Sequence, residues 1–396
     1  MEGTIVEFIT VQQAADNFGV NVRTIQKWAK DGKLPGAKRV GRVWLIPENA
    51  VLKIENDSEE NTEASCGMPL KLMCSNFVAG SASEVIEKIE IPKCKLFAKA
   101  EYHYLRAESE ECANILEHFL SESDEEISYP AAFLYAFANL SLNKPIIAKI
   151  SLSDLKEYMK DSKKMKNVTS DNVSSVFVAS IAGVLLRLKT TDISEVKELL
   201  KFLPEGARLF IAYVLANSAC MNKDYSKAIG IVEGAFSVTS DFYPIPTIYL
   251  NIVSSIAYIH LKQIEKAKKA FNEAMDIAML DGFIEPFIEH HGMFLGLIEV
   301  CMREKYPDEF KRVVSLVGQF FPQWLKVRGG EEVRYVPDEL TSTEFIIAML
   351  FDRGWSMKEI SSYIGLSLRM VKYYVATVYD KLGITRREEL KLYMLL

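Results

Sequence analysis

Apolar residues recur at helical spacing through the long middle of the chain. The stretch 176–188 is one example, and similar stretches follow one another from Pro69 to Gly330, separated by short polar or Gly/Pro breaks. Strict alternation of apolar and polar residues, which is typical of a half-buried strand, is scarce there. The pattern predicts an all-helical region over residues 69–335.

Two segments of this region align without gaps. Residues 215–228 match residues 254–267 at an offset of 39, and Ala235 matches Ala274 at the same offset. Four small residues recur where paired helices must approach closely, namely Ala216, Ser255, Ala228 and Ala267. This spacing resembles tetratricopeptide repeats of helical hairpins, which implies a solenoid-like stack. An irregular helical bundle obeys the same packing rules and is the alternative interpretation.

The last 57 residues contain closely spaced signals for helix starts and stops. Three hydroxyl residues, each followed three positions later by Glu, predict capping boxes at Thr341–Glu344, Ser356–Glu359 and Thr385–Glu388. Ser367 predicts a fourth N-cap, and Gly354, Gly365 and Gly383 stand where the preceding helices must stop. The predicted helices cover residues 343–353, 357–364, 368–381 and 386–395. Because a short turn joins the second and third, they predict a helix-turn-helix.

The ordered motifs of residues 336–396 resemble the DNA-binding domain of LuxR-family regulators. The resemblance rests on Leu340-Thr-x-x-Glu344, Gly365-Leu-Ser367, Val371-Lys372 and Lys381-Leu-Gly383-Ile384, among other positions. It implies that the third of the four helices enters the major groove. The residues that it places against the groove are Lys372, Tyr373 and Ala376, and those that it places near the DNA backbone are Lys381 and Arg387. Arg369 adds a positive charge to the same helix.

One position in this segment departs from the family pattern. The family usually has Thr before the Val-Lys pair, whereas Met370 stands here. Ala376 is too short for a polar contact with a base. The resemblance therefore predicts where DNA binds but not which bases are preferred.

The first 54 residues predict a second helix-turn-helix. Thr10-x-x-Gln13 is a capping-box variant that opens a helix over 11–18, and Asn21 caps another over 22–30. After Gly32, β-branched residues on both sides of Gly41 predict a hairpin. The segment resembles excisionase-type members of the MerR superfamily, and the motifs are Gln13-Ala14-Ala15, Gly32-Lys33-Leu34-Pro35, Val40-Gly41-Arg42 and Trp44-x-Ile46-Pro47. The resemblance implies a winged helix-turn-helix.

The same resemblance assigns DNA contacts in the N-terminal segment. It implies that Arg23, Thr24, Gln26 and Lys27 face the groove and that Arg42, on the wing, contacts the backbone or the minor groove. Arg can bind guanine through two hydrogen bonds, Gln can pair with adenine, and Lys neutralises phosphate. The aromatic residues Trp28 and Trp44 are predicted to belong to the core of this small domain.

Charge is distributed unevenly along the chain. The whole chain is acidic, with 53 Asp and Glu against 47 Lys and Arg, so any attraction for nucleic acid must be local. Residues 21–44 hold seven basic residues and one acid, Asp31. The run 55–65 holds five acids and no apolar residue larger than Ala, which predicts a flexible acidic linker over residues 55–68.

The sequence shows few motifs typical of catalytic, metal or redox sites. The six cysteines form no C-x-x-C pair, which predicts reduced thiols. His290-His291 lacks further spaced ligands, so a structural role is favoured over a metal site. No phosphate-binding loop or hydrolase-type catalytic set is recognisable. We therefore predict no enzymatic activity, no cofactor and no metal ion. The start of the chain, with Glu2 and Glu7, lacks a signal-peptide pattern, which predicts a cytoplasmic protein.

Together these patterns predict a mainly α-helical chain. Its parts are a winged helix-turn-helix (1–54), the linker (55–68), helical hairpin repeats (69–335) and a four-helix LuxR-type domain (336–396). They predict a transcriptional regulator of double-stranded DNA. Its repeats would sense a small molecule, peptide or protein effector, or mediate assembly such as a homodimer, away from membranes. The alternative is a scaffold in which the N-terminal domain docks a protein partner.

Overall fold

The structure, a computed structural model, describes most of the chain. The described residues are 8–18, 22–30, 34–40, 43–47, 70–161, 165, 167–169, 172–185, 199–328 and 340–392. These residues are mainly helical, as predicted. The predicted linker over 55–68 lies outside them. None of the described helices is both long and apolar enough to cross a membrane.

The N-terminal segment combines two helices with a small sheet. Helices α1 (Val11–Phe18) and α2 (Val22–Lys30) have the predicted bounds. The predicted hairpin is formed by β2 (Lys38–Val40) and β3 (Val43–Pro47). A further strand, β1 (Phe8–Thr10), pairs antiparallel with β3, which gives a sheet of order β1-β3-β2. The pattern of apolar and polar residues does not reveal β1, because three residues are too few to show a strand period.

This segment has a core of its own. Trp28 is 2% exposed and packs edge-to-face on Phe18, with ring centroids 6.1 Å apart. Trp44 is half-buried and packs against the same cluster. The prediction that both Trp residues belong to the core is confirmed for Trp28, and Trp44 lies at its edge. The fully buried neighbours are Ala14, Ile25 and Ile46.

The helical body, by which we mean the described residues 70–328, follows. Its first helices are α3 (Ala82–Glu87), α4 (Pro92–Leu105), α5 (Ser109–Leu120), α6 (Glu125–Ser141), α7 (Pro145–Ser151), α8 (Ser153–Tyr158) and α9 (Val173–Leu185). The next are α10 (Glu205–Met221), α11 (Tyr225–Val238), α12 (Pro244–His260), α13 (Ile264–Ala278), α14 (Glu285–His290), α15 (Arg303–Lys305) and α16 (Pro307–Arg328). A 3₁₀ turn (His291–Met293) and a π-helical turn (Ile298–Met302) lie between α14 and α15.

Four hairpins of the body share one connection. The pairs α4/α5, α6/α7, α10/α11 and α12/α13 are each joined by three residues, and the middle one is left-handed. These middle residues are Ala107 (φ +56°), Asn143 (φ +58°), Lys223 (φ +63°) and Lys262 (φ +59°). In each turn the following amide donates to the carbonyl five residues earlier, at 2.8–2.9 Å. This closes the helix end in the manner of a Schellman motif.

The small residues singled out by the 39-residue offset lie where helices meet. Ala216, Ser255, Ala228 and Ala267 are all fully buried. Their places in the two hairpins correspond, because the left-handed turn residues Lys223 and Lys262 are also 39 positions apart. The two aligned segments therefore lie in hairpins that have the same connection.

The C-terminal segment, residues 340–392, contains α17 (Ser342–Asp352), α18 (Met357–Ile364) and α19 (Leu368–Leu382). These agree with three of the predicted helices. The fourth is a 3₁₀ helix over Arg387–Leu392 within the described residues, not an α-helix from residue 386. The predicted capping box at Thr385 is wrong as well. Its amide donates to Glu389, not Glu388, at 2.7 Å. The Arg386 amide donates to the same carboxylate at 3.1 Å, because the helix begins at Arg387, one residue later than predicted.

The helical body and the C-terminal segment share one hydrophobic core that runs from Leu70 to Leu390. At their junction Gly296 adopts φ +86°, and a Cβ there would lie 2.7 Å from Cγ2 of Ile346 on α17. Only glycine allows both this backbone conformation and this approach. Gly296 thus sets how closely α17 packs on the body.

We expect Gly296→Ala to lower the free energy of unfolding by about 1–3 kcal/mol, since it adds both backbone strain and overpacking. Urea denaturation followed by circular dichroism measures this. Gly230→Ala is the matched control, because a Cβ at this helical position on α11 meets no atom within 4 Å. It should be neutral or stabilising. Equal stability of the two variants would contradict the proposed close approach.

The cysteine prediction is wrong at one position. Cys94, on α4, is disulfide-bonded. The free thiols among the described residues are Cys74, Cys112, Cys220 and Cys301. Spacing rules detect only cysteine pairs that are close in sequence.

Candidate nucleic-acid interface

The N-terminal helix-turn-helix is built from a reciprocal cap. The amide of Gln13 donates to Oγ1 of Thr10 at 3.2 Å, and the amide of Thr10 donates to Oε1 of Gln13 at 3.0 Å. Two of the amides at the start of α1 that lack intrahelical partners are therefore satisfied. The predicted capping-box variant is confirmed, and it fixes where α1 begins.

The burial pattern fixes the rotation of α2. Ile25, Trp28 and Ala29 are buried against the N-terminal core. Gln26 and Lys27 are exposed on the opposite side, as predicted, and Lys30 joins them there. Lys30 was missing from the predicted contacts, although it lies one turn beyond Lys27. The predicted contacts Arg42 and the side chain of Arg23 lie outside the described residues.

Thr24 does not share this open face. It is partly buried and lines a cleft of about 500 Å³ between the N-terminal helices and the helical body. The far side of the cleft includes Phe242 and Asn251. Phe242 also packs against the N-terminal core cluster. In this arrangement Thr24 faces the protein, so a groove contact by Thr24 requires the domain to turn away from the body.

The C-terminal helix-turn-helix has three observed caps. Thr341 with Glu344 and Ser356 with Glu359 form complete capping boxes. Ser367 accepts from the amide of Met370 at 3.2 Å and starts α19. Between α18 and α19, Gly365 takes the left-handed conformation, with φ +70°. The tight turn that the sequence predicts is therefore present.

Burial also fixes the rotation of α19. Val371, Val375, Val378 and Leu382 are buried, as expected for one stripe of a surface helix. The side chains on the other side are exposed and include all four contacts predicted there, namely Arg369, Lys372, Tyr373 and Ala376. We call this exposed side of α19 the reading face. The structure brings these four residues together on one open surface.

The two predicted backbone contacts are engaged within the protein. Lys381 Nζ lies 2.7 Å from Oε2 of Glu344, so α19 is tied to the start of α17. This hydrogen bond, against the opposing effect of burial, holds the pKa of Glu344 below its ordinary value. Arg387 donates from Nε to the Phe351 carbonyl at 2.8 Å and stacks on the Phe351 ring. A phosphate contact by Lys381 or Arg387 stays a prediction. Each side chain would have to make that contact in addition to its interaction within the protein.

An ion pair also links the C-terminal segment to the helical body, in addition to the apolar packing of α17 at Gly296. Lys262, the left-handed turn residue between α12 and α13, places Nζ 2.9 Å from Oε1 of Glu359. Its hydrogen bond lowers the pKa of Glu359 to about 2. Trp355 is buried beside Tyr363, with ring centroids 5.2 Å apart. Helices α17 and α18 therefore contact the helical body, and the reading face of α19 stays exposed.

Comparison with known proteins gave one match. A family model described as a helix-turn-helix domain matches residues 8–54. An N-terminal helix-turn-helix domain of the excisionase-like kind is therefore supported. This domain suggests DNA-binding regulation. No curated protein and no solved structure matches the chain.

The helical body buries several acidic and imidazole groups. His290 has a partner at each ring nitrogen, with the Pro286 carbonyl at 2.8 Å and the Tyr213 hydroxyl at 3.1 Å. Nε2 of His291 lies 3.3 Å from Glu299. No group of three or more potential metal ligands occurs within the described ranges. The contacts of His290-His291 agree with a structural role.

Two buried carboxyls make stability depend on pH. Burial raises the pKa of Glu289 to about 7 and that of Glu101 to about 8. Hydrogen bonds oppose this effect, from the Tyr104 and Tyr249 hydroxyls to Glu289. Because the folded protein keeps these protons to higher pH than the unfolded chain, the stability they contribute is complete below about pH 4.5 and falls as pH rises to 7–8.

We expect Glu289→Gln to reduce this fall and to stabilise the protein at pH 8 by on the order of 1–3 kcal/mol, since a neutral amide avoids burying a charge. The amide oxygen can still accept from both tyrosines. Urea denaturation at a series of pH values measures the change. Glu84→Gln, at an exposed position, is the control. An unchanged pH slope in Glu289→Gln would contradict the assignment.

Proposed function

We propose that this protein is a transcriptional regulator that binds specific sites in double-stranded DNA and performs no enzymatic chemistry. One observation carries the proposal. A chain with a matched N-terminal helix-turn-helix domain ends in a second helix-turn-helix, whose exposed helix presents Arg369, Lys372 and Tyr373 together. Cationic side chains on an exposed second helix suit phosphate and base contacts in a major groove.

The finer parts of the proposal rest on resemblance and geometry. We assign the C-terminal segment to the LuxR type, since its caps and turns fall at the family's positions. The hairpin of β2 and β3 would act as a wing that follows α2. The four hairpins with one shared connection support tetratricopeptide-like repeats. Such a protein would work in the cytoplasm and need no cofactor.

The helical body is the proposed sensor. Because α17 packs on the body at Gly296 and α18 is tied to Lys262, a change in the packing of the body alters how the reading face is presented. A small molecule, peptide or protein bound to the repeats, or assembly into a homodimer, would supply the coupling energy. Binding at the helical body would in this way regulate DNA binding by α19 in the same chain.

A second candidate function is favoured by the position of the N-terminal domain. Phe242 of the body packs on its core, and Thr24 of α2 faces the body. A domain held in this way can dock on protein. In this alternative the chain is a helical scaffold, and the N-terminal domain serves protein contact while only the C-terminal segment reads DNA.

Selection of bound fragments from random genomic DNA tests the main proposal with the full chain. A regulator enriches one sequence, binds it in the nanomolar range and prefers it over competitor DNA by about 10³-fold or more. Lys311→Ala, which removes an exposed charge of the body, should leave this binding unchanged. Failure to enrich any sequence would reject both the regulator and the scaffold alternative, since each requires the C-terminal segment to bind DNA.

A further inference from the structure

Exposed apolar side chains of the C-terminal segment are concentrated at one place. Among its described residues, the exposed large apolar side chains are Leu368 (41%), Met370 (39%) and Tyr373 (61%). All three lie in the first two turns of α19. Elsewhere in this segment, large apolar residues such as Trp355, Ile360 and Val371 are buried. A group of apolar side chains on the open side of a helix is a candidate contact surface.

The helix geometry places these residues relative to the reading face. At about 100° per residue, Tyr373 and Ala376 lie roughly opposite the buried Val371, and Arg369 lies between them in angle. Lys372 lies toward one edge of the face and Met370 toward the other. The Tyr373 ring packs edge-to-face on Tyr374, with centroids 5.6 Å apart. The centre of the reading face is therefore partly apolar, with cations beside it.

The chemistry of the major groove identifies what such a surface recognises. Its edges offer hydrogen-bond donors and acceptors, and the C5-methyl of thymine is the apolar group among them. Ala376 is too short for a polar base contact, but a methyl side chain of this kind packs against thymine. Arg369 and Lys372 can neutralise the adjacent phosphates and hold the helix in the groove.

We propose that α19 recognises thymine methyl groups, with Tyr373 and Ala376 as the residues that determine this specificity. The inference rests on the proposed function, since it requires the C-terminal segment to bind DNA. It goes beyond that function by naming the bases. The operator should carry thymines at the positions that α19 covers, and their methyl groups should contribute to affinity.

Replacing thymine by uracil in the selected operator tests this directly, because the two bases differ only by the methyl group. We expect the full chain to bind about 3- to 10-fold more weakly for each contacted thymine that is replaced. Tyr373→Ser should lose this discrimination at one or two positions. Val238→Ser, which changes an apolar side chain that is 83% exposed on the body, should keep it. Uracil outside the footprint should have no effect.

The outcomes separate this inference from the proposed function. Equal affinity for the thymine and uracil operators would overturn thymine recognition while leaving DNA binding established. Full discrimination retained by Tyr373→Ser would overturn the assignment to Tyr373, since the methyl groups would then be read by other residues. If no operator is enriched at all, the proposed function is rejected. Thymine recognition is then rejected as well, because it requires DNA binding.

Discussion

The double substitution Lys372→Ala with Tyr373→Ala should strongly weaken specific DNA binding by the C-terminal segment and leave its fold intact. Both side chains are exposed on α19, and Tyr373 is 61% exposed. Their loss removes a charge and an apolar contact from the reading face but no part of the buried stripe at Val371 and Val375. Each good base contact is worth about 1–3 kcal/mol. Affinity for the selected operator should therefore fall by about tenfold to several hundredfold.

Gel shift at fixed salt measures this effect, and circular dichroism confirms that the helices remain. The matched control is Lys311→Ala with Val238→Ala, which removes one exposed charge and one exposed apolar side chain from the body. An unchanged operator affinity in the folded Lys372/Tyr373 variant would show that α19 does not read the operator.

Local signals in the sequence were sufficient to predict the helix-turn-helix elements. Helix caps are short-range, so Thr10 with Gln13 and Ser356 with Glu359 marked starts that the structure shows. The hairpin connections of the body were harder to predict. Their left-handed residues include Ala107 and Lys223, whereas glycine is the residue that usually signals such a turn. The hairpins at Lys223 and Lys262 were found through the 39-residue offset, whereas those at Ala107 and Asn143 have neither glycine nor an aligned partner segment and were missed.

The candidate interface could be predicted in part. The family resemblance placed Lys372 and Tyr373 on one face of the third helix, and the period of α19 agrees with that placement. The engagement of Lys381 with Glu344 and the position of Thr24 against the body depend on contacts between segments distant in sequence. No local pattern encodes such contacts. The approach of Gly296 to Ile346 has the same origin.

Removal of residues 1–56 should weaken operator binding by about 10²- to 10⁴-fold if both ends of the chain engage one composite site. Two linked binding modules raise each other's effective concentration, and truncation removes this gain. Gln26, Lys27 and Lys30 form the exposed face of α2 that would be lost. Each lost phosphate contact should also lower the slope of log K against log salt by about 0.9. Footprinting should show fewer protected bases.

A full-length variant separates DNA contact from docking. Lys27→Ala with Lys30→Ala removes charge from the exposed face of α2 and leaves Phe242 and the cleft beside Thr24 unchanged. If the N-terminal domain binds DNA, this variant should lower the salt slope by about 2, in the direction of the truncation. If the domain is a docking module, footprint and slope should equal those of the unmodified chain, whereas Phe242→Ala should release the domain and increase its cleavage by protease. The second pattern would show that only the C-terminal segment binds the operator and that the chain is a scaffold. An exposed basic face that makes no phosphate contact has no part in operator binding.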